Sequence, residues 1–129
     1  MNQELSLWGY FVQAFKQKYC DFSGRARRKE YWGYVLFAAL IQWAMLAVAA
    51  LSFGAESVGF YVVYALIALA FILPALSVTV RRLHDLGKSG WWIFIAFIPF
   101  VGSIALLVFM CLDSEVGENA YGPNPKGVY

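Results

Sequence analysis

Three long apolar runs, at 31–53, 58–80 and 91–112, dominate the chain, and polar residues are confined to the stretches between and outside them. Each run is about 22 or 23 residues, which as a helix rising 1.5 Å per residue covers about 33 to 35 Å. That is enough for the hydrocarbon core of a bilayer. Ahead of them, Leu5, Trp8, Phe11, Val12, Phe15 and Tyr19 recur at helical spacing, with Gln13, Lys16 and Gln17 between. This stretch, 5–19, is too polar to span. It predicts an amphipathic helix lying in the membrane interface or packed on its own protein. Behind the last run, Gly117, Gly122, Pro123, Pro125 and Gly127 punctuate 113–129, which predicts turns and extended chain. The expected fold is all-α: an integral membrane helical bundle, one membrane domain over 1–129, with three transmembrane helices plus an N-terminal amphipathic interfacial helix.

Local features refine each run. Tyr31, Trp32 and Tyr34 form an aromatic belt where the first run begins. Gln42 is its one strongly polar interior residue, and a buried amide in lipid usually hydrogen-bonds across helices. Pro74 should kink the second run by removing one backbone N–H, with Ser77 and Thr79 available to bond the freed carbonyls. Ala65, Ala68 and Ala75 put small residues along one face, suited to close packing. Pro99 and Gly102 interrupt the third run near its middle. It has the length for one crossing and is far too short for two; a re-entrant loop broken at Pro99 is the alternative.

Composition places the chain in lipid. It is 61% hydrophobic and 14% charged, against roughly a quarter charged in soluble domains. Net charge is only +2, so the distribution matters more than the total. Lys16, Lys18, Arg25, Arg27, Arg28 and Lys29 precede the first run; Arg81, Arg82 and Lys88 lie between the second and third; 54–57 has no cation, and the tail has Lys126. With three crossings this predicts the N-terminus cytoplasmic and the C-terminus extracytoplasmic. No small-residue cleavage site follows a short apolar stretch, and no lipidation box is evident, so neither processing nor a lipid anchor is expected. Cys20 and Cys111 are then on opposite faces and unable to pair.

Two polar stretches hold the candidate chemistry. In the first, Ser23 is a plausible helix N-cap. A helix starting there would crowd Arg25, Arg27 and Arg28 at its positive end, so an anion should offset them, phospholipid phosphate being the simplest. Plain topological charge explains the same residues without a ligand. In the second, Arg81 and Arg82 end a helix, where cations complement its dipole and snorkel to phosphates. Asp85 lies four residues after Arg81 and can pair with it. His84 beside Asp85 has the composition of an oriented base, yet neighbours in sequence point apart on a helix, and no nucleophile accompanies them. One histidine and two separated cysteines do not make a zinc site. No catalytic residue, metal or cofactor is expected. Nucleic acid is not expected either, because the interleaved aromatics fit an interfacial anchor.

The segments Phe22-Ser23-Gly24-Arg25-Ala26-Arg27-Arg28-Lys29-Glu30-Tyr31-Trp32, then Arg81-Arg82-Leu83-His84-Asp85 with Ser89-Gly90-Trp91-Trp92, then Gly117-Glu118-Asn119-Ala120-Tyr121-Gly122-Pro123-Asn124-Pro125 together resemble the bacterial inner-membrane family named domain of unknown function 805. The resemblance covers nearly the whole chain. It implies a small multi-pass cytoplasmic-membrane protein and no particular activity. The expected function is therefore an interaction module. Arg25, Arg27, Arg28, Lys29, Arg81, Arg82, His84, Asp85 and Lys88 would meet anionic phospholipid or a partner membrane protein. The alternative is a subunit of a homo-oligomeric small-solute transporter or channel, with Gln42, Pro74 and Pro99 as working parts, because no charged side chain lies inside the runs.

Overall fold

The computed structural model describes residues 5–125. Among them the chain is all helical apart from one isolated bridge, Asn119 with Gly122. The elements are α1 (Leu7–Lys16), α2 (Arg28–Phe53), α3 (Val58–Asp85), a 3-10 segment (Gly90–Phe97) and α4 (Val101–Cys111).

Helices α2 and α3 form an antiparallel pair, and both are long and apolar enough to cross a membrane. At 26 and 28 residues they run about 39 and 42 Å. Their link is short. Gly54, at φ 84°, ends α2, and the Ser57 hydroxyl caps α3 by accepting from Phe60 N–H at 3.1 Å. The outward surface is hydrocarbon: Trp43, Val48, Leu51, Val58, Leu66 and Leu69 are all exposed. A water-soluble fold would bury such residues, whereas a bilayer solvates them.

Helix α1 packs on the pair. Its first residue meets α2 at Gly33, where an added Cβ would lie 2.9 Å from the Leu7 carbonyl oxygen. Phe11 stacks on Tyr34, and Phe15 meets Phe71 of α3 edge-on at 5.0 Å. Tyr10, Phe11 and Ala14 are buried, while Leu7 and Trp8 touch α2 yet stay partly exposed. The apolar face of the predicted amphipathic helix is thus largely spent on its own protein.

Pro74 sits inside α3 and cannot donate to the carbonyl of Ala70, four residues back. The expected rescue by Ser77 and Thr79 is not the one that occurs. Their hydroxyls donate to Pro74 O and Ala75 O, one turn too late. Two tyrosines do the work instead: Tyr19 donates to Ala70 O at 2.5 Å, and Tyr34 to Phe71 O at 2.7 Å. The proline therefore ties α1's exit and α2 to the middle of α3.

The third apolar run departs from the expected single rod: it breaks after Phe97 and turns back as two short limbs. The 3-10 segment has 8 residues and α4 has 11, so they are about 16 and 17 Å long, each roughly half of a hydrocarbon core. Between them Pro99 O accepts from Val101 N–H at 2.7 Å around Phe100, whose φ is 63° and ψ −61°. This is a γ-turn of the strained kind. Gly102 allows the return, because a Cβ there would lie 1.7 Å from Ile95 O. Trp92 and Phe109 meet edge-on, so the two limbs lie side by side at their open end. The physical reason is in the sequence: Pro99 removes a helical donor and glycine admits backbone contact where a continuous helix would need neither.

If the Tyr19 hydroxyl replaces the N–H that Pro74 lacks, Tyr19→Phe should lower stability by about 1–3 kcal/mol. In a Pro74→Ala background, where residue 74 regains its donor, the same change should cost less than half as much. Thermal unfolding of the four proteins in one detergent measures the coupling.

Candidate functional site

The polar segments that the sequence spreads over nearly a hundred positions meet at one end of the α2–α3 pair. Helix α3 ends in a Schellman motif: Lys88 N–H bonds Leu83 O and Gly87 N–H bonds His84 O, both at 2.9 Å, with Gly87 at φ 77°. The carbonyls of Arg81 and Asp85 accept from outside the helix. The 23–27 loop takes the first, through Ala26 N–H to Arg81 O at 2.9 Å, and the tail takes the second, through Glu115 N–H to Asp85 O at 2.8 Å.

Arg25 is the centre of this end. Its guanidinium has five N–H donors, and five acceptors surround it. Nε donates to Asp85 Oδ1 at 3.0 Å; Nη1 to Gly117 O at 2.7 Å and Gly122 O at 3.3 Å; Nη2 to Glu115 O at 2.6 Å and Asp85 O at 3.2 Å. Asp85 uses its other oxygen, Oδ2, to accept from Arg82 Nη1 at 2.9 Å and from the Ser114 hydroxyl at 2.5 Å. The side chains of Arg25, Arg82 and Asp85 are 1%, 0% and 0% exposed. Arg81, equally buried, pairs with Glu30 of α2 and donates from Nε to Asp21 O at 3.1 Å.

The end of α4 is bound into the same network. Its last carbonyls have no helical donors, and Trp32 Nε1 reaches Met110 O at 3.1 Å, Arg82 Nη2 the same oxygen at 3.4 Å, and Arg28 Nη1 Cys111 O at 3.3 Å. Because α4 ends where α3 ends and α2 begins, both limbs of the hairpin open at one end of the molecule.

Several expectations change. Ser23 does not cap α2, which starts at Arg28 with Arg27 at the cap and no side-chain bond. The Ser23 hydroxyl and N–H instead donate to Asp21 Oδ1 at 2.6 and 3.0 Å. Burial pushes the Asp21 carboxyl up, but those two bonds, with Arg81 and Lys18 nearby, outweigh it and hold the group below its ordinary value. The anion inferred for Arg25 and Arg28 is supplied by the protein itself: Asp85 for Arg25, and Asp113, 3.7 Å away, for Arg28. Arg81 and Arg82 point inward rather than snorkelling. Asp85 pairs with Arg82 three residues back, and Arg81 is turned to α2, so the Arg81–Asp85 pair is not formed. Cys20 and Cys111 are free, as expected. Each lies at or next to a carbonyl bonded to an arginine of this network, Asp21 O to Arg81 and Cys111 O to Arg28.

His84 and Asp85 do not act together. His84 Nδ1 donates to Gly24 O at 2.9 Å, and the ring stacks on Tyr121 with centroids 3.9 Å apart and planes at 0°. Of the remaining predicted residues, Arg27 and Lys29 are half-buried at the start of α2, and Lys88 Nζ lies 5.0 Å above the Trp92 and Phe109 rings at the rim. Among the described residues no group of three or more His, Cys, Asp or Glu side chains could hold a metal ion. Gln42 lines a lateral hollow of about 380 Å³ with Trp43, Leu46, Tyr64 and Ala68, remote from the polar end.

Sequence reasoning missed Glu30, Ser114 and the tail. Gly117 and Gly122, at φ 73° and 128°, bend the chain so that their carbonyls face Arg25, and Asn119 Nδ2 holds His84 O at 2.9 Å. The available signal was the pair of glycines bracketing an asparagine, which reads as a built turn rather than a loose tail.

A greasy helical pair closed at one end by a buried arginine–carboxylate network, with a half-length hairpin returning to that end, defines a small helical membrane protein. The chain belongs to the family described as protein of unknown function (DUF805), whose model matches residues 19–123. It is 44% identical over 110 residues to inner membrane protein YhaI of Escherichia coli K12, covering 85% of this chain and 90% of that one. It is 34% identical over 117 residues to inner membrane protein YhaH of the same organism, covering 91% and 96%. It is also 29% identical over 135 residues to the uncharacterized protein YiiR, covering 84% and 88%. No solved structure matches.

Removing one partner from a buried ion pair leaves an uncompensated charge. Asp85→Asn should therefore destabilise by about 3–5 kcal/mol, whereas Arg28→Gln at the rim should change stability by less than about 1 kcal/mol. Paired unfolding curves in detergent check the contrast.

Proposed function

We propose that this is a two-span inner-membrane protein with a re-entrant hairpin in the cytoplasmic leaflet, working as a lipid-interaction module without catalysis. In this reading α2 and α3 cross the bilayer, and the polar end carrying the 23–27 loop and the tail faces the cytoplasm. The observation that carries it is the hairpin. Its limbs are half a bilayer long, and Trp91, Phe94, Phe97, Phe100 and Val101 are exposed on it. An aromatic wedge of that depth is solvated by acyl chains.

Charge supports the orientation. Seven of the ten cations, Arg25, Arg27, Arg28, Lys29, Arg81, Arg82 and Lys88, belong to the stretches at the polar end, and Lys126 lies outside the described residues; the 54–57 link has none. A hairpin that returns removes the one cation that three crossings would strand outside. The division of labour among the arginines also supports the reading. Arg25, Arg81 and Arg82 hold the fold, which leaves Arg28 and Lys88 at the rim for headgroups.

Two measurements test this. Green fluorescent protein fused after Tyr129 should fluoresce, and alkaline phosphatase fused there should be inactive; the reverse pattern would restore three crossings. In native mass spectrometry the Arg28→Gln, Lys88→Gln double variant should retain phosphatidylglycerol roughly thirty-fold less well than wild type, each cation near an anionic surface contributing about 1 kcal/mol. Equal retention would remove rim cations from the proposal. Arg25 is unsuitable for this comparison, because its loss disturbs the fold.

A further inference from the structure

We infer that the groove between α3 and the 3-10 segment holds one acyl chain of an anionic phospholipid, whose phosphate is seated at His84 Nε2 and the Ser89 hydroxyl. The groove has a volume of about 850 Å³ and is walled by Leu76, Val80, Ile93, Phe94 and Phe97, with Tyr121 at its mouth. That size falls in the range of ligand pockets, whose pattern is an apolar wall with a few converging polar groups. Here the polar groups gather at one end, as an amphiphile requires.

His84 is the group that points to a ligand. It is only 8% exposed, yet it lines this groove. Its Nδ1 is committed to Gly24 O and its face to Tyr121, so its position is fixed from two sides. Nε2 has no partner among the described residues and faces Gly90, where an added Cβ would stand 3.7 Å from it. This nitrogen is open to the groove, a fixed polar atom on an otherwise apolar wall. Ser89 lies beside it. Its oxygen accepts from Trp91 N–H at 3.1 Å, which leaves its O–H free to donate.

The charge at this end selects an anion. The buried network sets Arg25, Arg81 and Arg82 against Glu30 and Asp85, one cation in excess. Arg81 Nη2 and Arg82 Nε also lack acceptors among the described residues. No arginine lines the groove, so this surplus favours an anion there through space rather than by contact. Because Nδ1 already donates to Gly24 O, an anion is held at Nε2 only when that nitrogen also carries a proton.

The inference rests on the membrane-embedded reading above, but it is tested separately. His84 is the only histidine, so a 15N-histidine label on the full-length protein needs no assignment. Short-chain phosphatidylglycerol added to the protein in detergent should move the Nε2 resonance from the unprotonated to the protonated range and saturate at one equivalent. Phosphatidylcholine should move it at least ten-fold less effectively. Ala96→Trp, which narrows the groove away from His84, should abolish the response. Arg28→Gln with Lys88→Gln should leave it intact. An unmoved Nε2 in wild type overturns the proposal, and so does an equal response to phosphatidylcholine, tighter binding of decanoate than of the phospholipid, or an unaltered response in a folded Ala96→Trp variant. The wild-type titration decides even if that variant does not fold. The topology fusions and rim-cation retention can succeed while Nε2 stays silent, so failure here is distinguishable from failure of the wider reading.

Discussion

Three guanidinium groups are buried at the end of a bundle whose other surfaces are hydrocarbon, and the rest of the structure is arranged to satisfy them. Taking an ion out of water costs several kcal/mol even after relaxation. Arg25 recovers that cost only when all five N–H groups are met. The acceptors come from three places far apart in sequence: the last residue of α3 and two bends of the tail. The tail is ordered because Arg25 needs its carbonyls. Asp85, shared between Arg25, Arg82 and Ser114, is the joint through which the loop before α2, the end of α3 and the segment after α4 hold one another.

The hairpin follows from the same constraint. For Ser114 and Glu115 to reach Asp85, α4 must finish at the end where α3 finishes, so the run between them turns back. Phe100 in a positive-φ turn and Gly102 against Ile95 O are the local cost of that reversal. A second backbone defect, at Pro74, is put to structural use. The carbonyls loosened there accept from Tyr19 and Tyr34, which fixes α1 against both long helices. Each irregularity in the chain is thus matched by a group from elsewhere, as burial in a non-hydrogen-bonding solvent requires.

The network also divides the basic residues by role. Those buried against internal carboxylates are part of the architecture, and those at the rim face outward. This separates two ideas that composition alone merges, a cationic sequence and a cationic surface. In the proposed function only the second meets lipid headgroups, and the single buried histidine offers a further contact inside a groove rather than on a face.

Much of the architecture was legible in the residues. Lengths of apolar runs predicted α2 and α3 closely, because 3.6-residue periodicity and bilayer thickness are local constraints. The spacing of Trp8, Phe11 and Phe15 predicted α1 for the same reason. Pro99 and Gly102 showed where the third run breaks, but not whether it continues across or returns, since both have the same composition. The partners of Arg25, Arg28, Arg81 and Arg82 were not legible. An arginine reads identically whether a phosphate or an Asp85 carboxylate awaits it, and only the folded chain brings residues 25, 85 and 117 into contact. Sequence by itself determined that this protein is helical, greasy and charged at particular segments. The tertiary structure decided that those segments meet at one end and neutralise one another, because the acceptors for a buried guanidinium are set by long-range packing rather than by neighbours along the chain.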